Sequence, residues 1–574
     1  MYHKSMFPDL PVVPETNVHH LLFNRPEQKS WPDYTLYVNA TTGKRWSFRQ
    51  FVERVRDGAT ALGADVDQGG LGISLGNGEI VGILSENCLT QDYIALLHSL
   101  MAITVPFAMI SGYSTPFEFK HAVSLSRATR IFVSPSLLPL ALTSGLPDDR
   151  IYVLEGDIEG RLSYDDLVNR TRRNRIPRVP VKHAARDTLA YLVFSSGTSG
   201  LPKAVMISHG NLTNSLLQVK VVTEEVNKFQ KPPVWNGPNG MQVLFNVLPI
   251  HHTYGLHISC FRVFFSPLTV VLLPKWDAKA FLNAIPKYRA TTLYLVPSLV
   301  HQLVHRPEFK AADLSTVQVV NCGAAYLPTS LSEALLSRFP NLERIGEGYG
   351  MSESTISIAN KPVPGLLDGR AKNKPGSTGV LLPGIEVKVM REDGTLAGVN
   401  EPGELHVRSG CVALGYSNNP KATKETFVDG WLRTGDRIRI DEDGVLFFED
   451  RAKDTLKVSG FQVSPVEIEN TLLVHPDKLI IDASVAGVSG GRTIDERIPR
   501  AWVVLSAEGR RLGAAATIAK LDAWVRESLS KYKWLRGGIE VVDMIPKSPT
   551  GKVLRRQLVD KYERGQKAQV MAKL

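Results

Sequence analysis

The chain has 574 residues, of which 43% are hydrophobic and 22% are charged. This length predicts several domains, or one large domain with a smaller one, and the composition favours a large core over long disordered segments. The net charge of +10 favours anionic partners in general. Because the basic residues are spread along the chain, the sequence favours a basic soluble protein over a nucleic-acid binder.

The four cysteines, Cys88, Cys260, Cys322 and Cys411, have spacings that match no zinc or redox pattern. They predict buried thiols in a reducing compartment. The first eleven residues contain no apolar segment typical of a signal peptide. No window reaches about 18 uninterrupted apolar residues, so no membrane span is predicted.

The last three residues, Ala572-Lys573-Leu574, are close to the Ser-Lys-Leu address of peroxisomal proteins. They predict localisation in the peroxisome, with the peroxisomal import receptor as a partner. A cytoplasmic location is the alternative.

Helical patterns and short apolar strands alternate in the first part of the chain. Residues 47–62 and 91–101 have the pattern of helices, and residues 78–84, 131–134 and 151–154 that of buried strands. After a strand at 188–194 the alternation repeats, with strands at 242–248, 269–273, 292–296 and 316–321 and a helix at 330–338. This order predicts two successive βα units, each with a parallel or mixed sheet.

The pattern changes near residue 376 to short strands and turns, which predicts a small β-rich subdomain. A cluster of charges at residues 450–454 suits a linker, and a shorter α+β segment with a helix at 518–529 follows. We therefore predict an α/β fold. Its N-terminal domain, residues 1–449, contains two βα sheet subdomains and a small β-barrel-like subdomain. A hinge at 450–454 leads to a smaller, mobile α+β domain at 455–574.

The strongest motif is SSGTSGLPK at residues 195–203, which follows a predicted strand and precedes a predicted helix that begins near residue 211. Small residues let backbone N–H groups approach phosphate oxygens, hydroxyls add donors, and Lys203 supplies a point charge. The motif is not a Walker A loop, because Leu-Pro separates the last glycine from the lysine. A surface loop is the alternative. The candidate phosphate ligands are Ser195, Ser196, Gly197, Thr198, Ser199 and Lys203.

The longer run YLVFSSGTSGLPKAVMISHGN, residues 191–211, resembles the signature of the adenylate-forming (AMP-binding) superfamily. This superfamily contains acyl-CoA synthetases, peptide-synthetase adenylation domains and firefly luciferase. Further motifs follow in the family's order over about residues 35–556. The chain is most similar to the branch of 4-coumarate–CoA ligase and luciferase, and its last three residues also resemble fungal peroxisomal acyl-CoA ligases.

The second motif, LPIHHTYG at residues 248–255, resembles the segment that lines the family's acyl pocket. The resemblance implies that His252 is the functional histidine and Tyr254 the pocket aromatic, whereas core packing is the alternative. Ile258 falls where coumarate-type ligases tend to have a small polar residue. With Leu256 and Phe261 nearby, an apolar pocket is predicted, which favours a fatty, branched or apolar aromatic acid over a hydroxycinnamate.

The third motif, GEGYGMSE at residues 346–353, is a glycine-rich turn that ends in a carboxylate, which suits Mg²⁺. The resemblance implies that Glu353 holds Mg²⁺, that Tyr349 stacks on adenine and that Ser352 contacts the α-phosphate. Glu347 stands where relatives often carry Gln. Residues 323–325 resemble the loop that borders adenine and the acyl group. The remaining candidates are Ala324 and Gly348 for the nucleotide, and Gly323, Gly350 and Met351 for the acyl pocket.

The fourth motif, GWLRTGD at residues 430–436, ends in a carboxylate that can accept both ribose hydroxyls. Asp436 is the candidate, and Arg451 matches a second ribose residue of the family. Either residue alone would more often be a surface charge. Their order and spacing favour the ribose site.

The last motifs lie in the predicted hinge and the C-terminal domain. The resemblance implies that Lys453 is the hinge residue, and that Lys457 and Gln462 face the intermediate or the CoA tunnel. Lys552, in PKSPTGK at residues 546–552, matches the adenylation lysine, although an exposed lysine after a glycine is usually solvated. Ser459 departs from the lysine common in plant ligases. The predicted CoA contacts are Lys275, Ser459, Gly460 and Phe461.

Together these motifs predict an acyl-CoA ligase that uses ATP, Mg²⁺ and CoA. It would form acyl-AMP by positioning and charge neutralisation, and then transfer the acyl group to CoA. Adenylation for a carrier protein, an amine or oxygen is the alternative enzyme. A nucleotide-binding pseudoenzyme is disfavoured, since no essential position is lost. The predicted catalytic residues are Lys552, His252, Lys457 and Lys203.

Overall fold

Two buried helices packed between two sheets form the centre of the N-terminal part. The computed structural model describes residues 2–87, 92–195, 202–324, 327–342, 344–451, 456–458, 461–489, 497–529, 531–547 and 553–571. At residues 329, 330, 450, 451, 457, 461, 462, 532 and 567–571 it describes the backbone alone. Every residue of the helix Asp92–Ala102 is buried, as expected for a helix that is apolar on all sides.

The helix Phe48–Gly63 begins at Ser47, whose hydroxyl accepts from the Gln50 N–H in a capping box. Arg54 of this helix pairs with the buried Asp92 at 2.9 Å and so ties the two central helices together. The other helices of the N-terminal part are Val18–Phe23, Pro116–Ser126, Leu138–Ala141, Tyr164–Arg173, His209–Asn227, Thr253–Leu256, Ala278–Tyr288, Pro297–Val304, Pro307–Ala311, Thr329–Leu336 and Pro420–Thr426.

The first sheet has seven strands, and its five N-terminal strands are parallel. The other two strands run antiparallel to their neighbours at one edge. In spatial order the strands are Gly415–Tyr416, Lys203–Ser208, Leu189–Ser195, Phe107–Ser111, Val81–Ser85, Arg130–Val133 and Ile151–Val153.

The second sheet has fifteen strands and changes character along its width. One half is parallel apart from its edge strand Arg45–Ser47. In spatial order its strands are Arg45–Ser47, Thr35–Asn39, Leu268–Leu272, Gln242–Asn246, Thr292–Leu295, Val319–Cys322 and Ile345–Tyr349.

The other half of this sheet is antiparallel. Its strands are Ala359–Asn360, Gly379–Leu381, Val445–Arg451, Trp431–Ile440, Gly403–Arg408, Glu386–Met390 and Tyr2–Lys4, with Phe427–Val428 paired to Trp431–Ile440. The strand Tyr2–Lys4 pairs with Glu386–Met390, so the start of the chain completes this half. This is the small β-rich subdomain predicted from the short strands after residue 376.

The C-terminal part contains a hairpin, Leu456–Val458 and Phe461–Val463, and a three-stranded sheet. The strands of that sheet are Ile480–Val488, Ile498–Leu505 and Ile539–Val541. Its helices are Pro465–Leu473, Ala507–Leu512, Ala514–Ser528 and Arg555–Met571. This part has a separate hydrophobic core, in which Val485, Val503 and Leu521 are buried together.

The predicted strands and helices are present, with ends shifted by a few residues, but several strands were not predicted, among them Thr35–Asn39, Phe107–Ser111 and Trp431–Ile440. Another of them changes the interpretation of the phosphate motif. The phosphate motif was expected to lead directly into a helix near residue 211. Instead the strand Lys203–Ser208 returns antiparallel to Leu189–Ser195 before the helix His209–Asn227 begins. The run KAVMIS alternates too weakly to separate a strand from the start of the helix.

Cys260, Cys322 and Cys411 are buried free thiols, as predicted, while Cys88 lies outside the described residues. Burial raises the pKa of each of these three thiols above its ordinary value. Among the described residues, no helix combines the length and the apolar character needed to cross a bilayer.

Candidate active site

A cavity of about 740 Å³ lies where parallel strands of both sheets reach their carboxyl ends. Ligands of open α/β sheets bind at this edge, because the loops that follow the strands converge there. The sequence candidates that line the cavity are Ser195, Lys203, His252, Tyr254, Ile258, Gly323, Ala324, Glu347, Gly348, Tyr349, Gly350, Met351, Ser352, Glu353 and Asp436.

Lys203 and Glu353 form the phosphate end of this cavity, with Tyr416 between them. In the hairpin, Ser195 lies directly opposite Lys203, which places both ends of the phosphate motif at the cavity. The Lys203 Nζ lies 4.6 Å from the centre of the Tyr416 ring. The Tyr416 hydroxyl donates to Glu353 Oε1 at 2.9 Å. Burial raises the pKa of Tyr416, and the neighbouring Glu353 raises it further, so the phenol stays protonated.

The Glu353 carboxylate is buried, and no Lys, Arg or His of the described residues forms an ion pair with it. A buried carboxylate without a cationic partner is costly. Mg²⁺ binds through one or two protein carboxylates, with substrate phosphates and water completing its shell. The environment of Glu353 therefore fits the predicted metal position.

The acyl motif and the third motif, residues 346–353, meet through a hydrogen bond. The hydroxyls of Thr253 and Ser352 are 2.9 Å apart. The helix Thr253–Leu256 continues into a single wide turn, His257–Phe261, of the π type. Such turns often occur at functional sites, because the additional residue redirects the side chains that follow. Tyr254 and Ile258 both face the cavity from this segment.

The histidines of the acyl motif are neutral at physiological pH. Burial lowers the pKa of His252 to about 4 and that of His251 well below its ordinary value. Their rings lie 4.6 Å apart. His252 lines the cavity, whereas both ring nitrogens of His251 are buried without a hydrogen-bond partner. A pKa near 4 makes His252 a weak general base, so its geometry favours positioning of the ligand.

At the nucleotide end, the Tyr349 hydroxyl donates to Asp436 Oδ2 at 2.8 Å. Asp436 is buried on the strand Trp431–Ile440, directly across from Arg451 on the neighbouring strand. The two residues predicted to hold the ribose are therefore cross-strand neighbours, although they are fifteen positions apart in sequence. The Arg451 side chain lies outside the described part of the structure.

The backbone is constrained at two residues of the nucleotide end of the cavity, Ala324 and Gly350. Ala324 has φ of +70°, a left-handed conformation that costs energy for a residue other than glycine and is common at functional sites. At Gly350 an added Cβ would lie 1.8 Å from the carbonyl oxygen of Ile356, so only glycine fits. Glu347 forms an ion pair with Lys361 inside the cavity, a partner that the sequence did not predict.

The prediction of an apolar acyl pocket used two residues that do not line the cavity. Leu256 and Phe261 are buried in the core behind it, because the wide turn directs them away from the cavity. Polar residues that the sequence did not identify line it as well, among them Arg262, Tyr294 and Asn321.

Two protein-family descriptions match the chain. The family described as AMP-binding enzyme matches residues 25–417, which is more than half of the chain. The chain belongs to the AMP-binding enzyme family. The description AMP-binding enzyme C-terminal domain matches residues 467–552. The family predicted from the motif at residues 191–211 is thereby confirmed.

Relatives of this AMP-binding enzyme match it over nearly its whole length. The probable 4-coumarate–CoA ligase 3 of Dictyostelium discoideum is 31% identical over 97% of each chain. The acyl-CoA ligase AKT1 of Alternaria alternata is also 31% identical, over 93% of this chain and 91% of its own. The crystal structure of the anthranilate CoA ligase AuaEII in complex with anthranoyl-AMP is 25% identical, with a TM-score of 0.78 over 98% of this chain and 99% of its own. The predicted α/β fold, with a large N-terminal and a smaller C-terminal domain, is confirmed.

A second cavity of about 830 Å³ separates the two parts of this AMP-binding enzyme. It shares Tyr349 and Asp436 with the first cavity and is closed on its other side by the C-terminal part. His301 Nε2 donates to the carbonyl oxygen of Ile481 at 2.7 Å across this cleft. Lys547 and Val553 line the same cleft and form a bridge with each other. The segment between them, which contains Lys552, lies outside the described residues.

Several predicted residues are not tested by this geometry. Lys275 is exposed and lines neither cavity. Ser196, Gly197, Thr198, Ser199, Lys453, Ser459, Gly460 and Lys552 lie outside the described residues, as do the side chains of Lys457, Phe461 and Gln462. Residues 572–574 lie outside them too, so the peroxisomal location and the import receptor stay predictions.

Proposed function

We propose that the enzyme activates a carboxylic acid with ATP as an acyl-AMP and transfers the acyl group to CoA, releasing AMP and pyrophosphate. One observation carries this proposal. The hydrogen bond between Thr253 and Ser352 joins the acyl motif to the third motif, residues 346–353, within one cavity. An acid held along Tyr254 and Ile258 would present its carboxylate to a nucleotide held at Ser352.

The first half-reaction depends on the positioning of the substrates and on positive charge more than on a general base. A carboxylate is already a nucleophile, and it attacks the α-phosphate in line with the departing pyrophosphate. In the proposed mechanism Lys203 neutralises phosphate charge, Asp436 and Arg451 orient the ribose, and Lys552 bridges the carboxylate and the α-phosphate. When bound at Glu353, Mg²⁺ would neutralise charge on the phosphates. The neutral His252 would orient the acid.

The second half-reaction is attack of the CoA thiol on the acyl-AMP carbonyl. The names of the relatives, which are CoA ligases, support CoA as the acceptor. The cleft between the two parts provides a route to the nucleotide end of the first cavity. In the proposed cycle, the C-terminal domain turns about Lys453 and brings Lys457, Gly460 and Gln462 to this end.

An acid panel with and without CoA tests this proposal. Purified enzyme is given Mg-ATP and fatty, branched, aromatic or dicarboxylic acids, and pyrophosphate, AMP and acyl-CoA are measured. We expect one class of acid to support pyrophosphate release that rises with CoA, together with stoichiometric acyl-CoA. Pyrophosphate release that does not depend on CoA would indicate that the acyl acceptor is another group, such as a carrier protein or an amine. The matched control is Asp436→Asn, which should raise the KM for ATP more than the KM for the acid.

A further inference from the structure

Arg262 is a cation in the wall of the first cavity that no carboxylate neutralises. It follows the wide turn His257–Phe261 and lines the cavity with Tyr254 and Ile258. No carboxylate of the described residues forms an ion pair with it, and no described group accepts a hydrogen bond from its guanidinium. Its Nε is fully buried without a partner, whereas its terminal nitrogens are not, so the latter face the cavity.

The groups around Arg262 do not neutralise its charge. Tyr254, Tyr294 and Cys411 are its nearest titratable neighbours, and burial raises the pKa of each of them, so all three are neutral. His257 is also neutral, because burial lowers its pKa well below the ordinary value and Arg262 lowers it further. An arginine remains protonated in proteins, so the charge stays on the guanidinium. Arg262 is half-buried, and a charge that is partly removed from water without a partner is costly.

The other cations at this cavity have partners in the protein or a predicted ligand. Lys361 pairs with Glu347, and Arg433 pairs with Glu404. Lys203 lies over the Tyr416 ring and faces the predicted phosphates. Arg344, the fourth, also has an interaction partner. Arg262 differs from these four cations and lies at the other end of the acyl segment from the contact between Thr253 and Ser352.

The length of the acyl segment places Arg262 at the far end of the acid. Thr253, at the start of the helix, contacts Ser352, the residue predicted to bind the α-phosphate. Nine residues of helical rise separate Thr253 from Arg262, which is about 13 Å along the axis. Long side chains lean towards the N-terminus of their helix, so an acid whose reacting carboxylate lies at Ser352 would have this carboxylate roughly 10 Å from the guanidinium.

We infer that Arg262 binds a second anionic group, a carboxylate, at the distal end of the acid substrate. The substrate class is then a dicarboxylic acid with an apolar middle, which Tyr254 and Ile258 contact. A planar guanidinium binds a carboxylate through two parallel hydrogen bonds, which provides both affinity and orientation. This inference rests on the proposed function and specifies its substrate.

Matched pairs of acids test the inference. Suberic acid is compared with octanoic acid, sebacic acid with decanoic acid, and terephthalic acid with 4-methylbenzoic acid, each in the pyrophosphate-release assay with CoA. We expect kcat/KM for at least one diacid to exceed that of its monoacid by roughly 30-fold to 1,000-fold. Arg262→Met should abolish this preference and leave the monoacid unchanged or improved. Arg49→Met is the control, because Arg49 is exposed and lines neither cavity.

Thermal unfolding provides a second measurement that does not require turnover. Arg262→Met should raise the Tm of the free enzyme, because it removes an unpaired charge, whereas an arginine with a structural role would lower it. The preferred diacid should raise the Tm of the wild type more than its monoacid does, and this difference should vanish in Arg262→Met.

Two results would overturn the inference. The first is a wild type that uses monoacids at least as well as diacids, with an acid preference that Arg262→Met leaves unchanged. The second is the absence of any diacid-specific rise in Tm. A lack of pyrophosphate release with every acid would count against the proposed function instead. In that case a diacid-specific rise in Tm, lost in Arg262→Met, would still support the distal carboxylate site.

Discussion

Tyr416 separates two opposite charges at the phosphate end of the cavity. Its ring faces Lys203 Nζ, and its hydroxyl donates to Glu353. Because the tyrosine occupies the space between them, Lys203 and Glu353 do not form an ion pair. Each charge therefore stays available to the ligand of opposite sign, phosphate for Lys203 and a divalent cation for Glu353.

Removal of the Tyr416 hydroxyl tests this arrangement. Tyr416→Phe keeps the ring below Lys203 but leaves Glu353 without its donor. We expect kcat/KM for ATP to fall about threefold to tenfold, the cost of one hydrogen bond, and the Mg²⁺ concentration for half-maximal rate to rise. Lys203→Met, measured in parallel, should lower the rate by a factor on the order of 10²–10³. An unchanged Mg²⁺ dependence in Tyr416→Phe would contradict the role of the hydroxyl.

The sequence predicted single site residues where they belong to a continuous motif. Lys203, Ser352 and Asp436 were found in this way, and all of them line the cavity. Tyr416 was missed, because it lies 63 positions from Glu353 and belongs to no motif. Arg262 belongs to no motif either. Whether it has a partner depends on packing, which a single sequence does not specify.

At the scale of elements, the helix Pro297–Val304 is a link between the two parts of the chain. His301 donates from this helix to the carbonyl of Ile481, at the start of the strand Ile480–Val488. The contact forms in the arrangement in which Lys547 and Val553 lie with Tyr349 and Asp436 around the cleft. It is therefore a contact of the conformation in which Lys547 and Val553 line the cleft at the nucleotide end.

Loss of this contact should affect the two half-reactions unequally. His301→Ala removes one hydrogen bond from the conformation predicted for adenylation, so we expect that step to slow about threefold to tenfold. Thioester formation from supplied acyl-AMP should be nearly unchanged. His301→Gln, which can still donate, should restore most of the rate. Lys552→Ala is the reference, since it should abolish adenylation and spare the second step.

Equal slowing of both half-reactions in His301→Ala would indicate a general loss of stability instead. Urea unfolding of each variant separates these cases.

At the scale of the whole molecule, buried histidines should make stability depend on pH. Burial holds the pKa of His19 and His98 at about 3 and that of His209 and His252 at about 4. In the unfolded chain each has a pKa near 6.5. Between these values the unfolded state binds more protons, so stability is full above about pH 6.5 and is lost as the pH falls towards 4.

In this window the free energy of unfolding should fall by about 1.4 kcal/mol per histidine for each unit that the pH is lowered. Urea unfolding at several pH values between 4 and 8 measures it. His98→Gln should reduce this pH dependence by the contribution of one histidine, whatever the substitution does to the free energy of unfolding at pH 8. An equal slope in wild type and His98→Gln would contradict the burial of a neutral imidazole.

Alternation of strands and helices was enough to predict the two parallel sheets, because sequential βα units place neighbouring strands side by side. It did not predict that the second sheet continues into the antiparallel half. That continuation depends on the pairing of Tyr349 with Ala359 and of Gly379 with Leu446. Strands as short as Ala359–Asn360 have no periodicity to detect.

The first strand of the chain is synthesised long before the strand with which it pairs. Tyr2–Lys4 has its partner at Glu386–Met390, and the Ser5 hydroxyl donates to the carbonyl of Leu381. A ribosome that adds about 5–20 residues per second reaches this partner roughly 20–80 s after it has made the first strand. During that interval the parallel sheets can form, while the start of the chain waits unpaired. A nascent chain stalled before residue 380 would therefore show its N-terminus open to proteolysis.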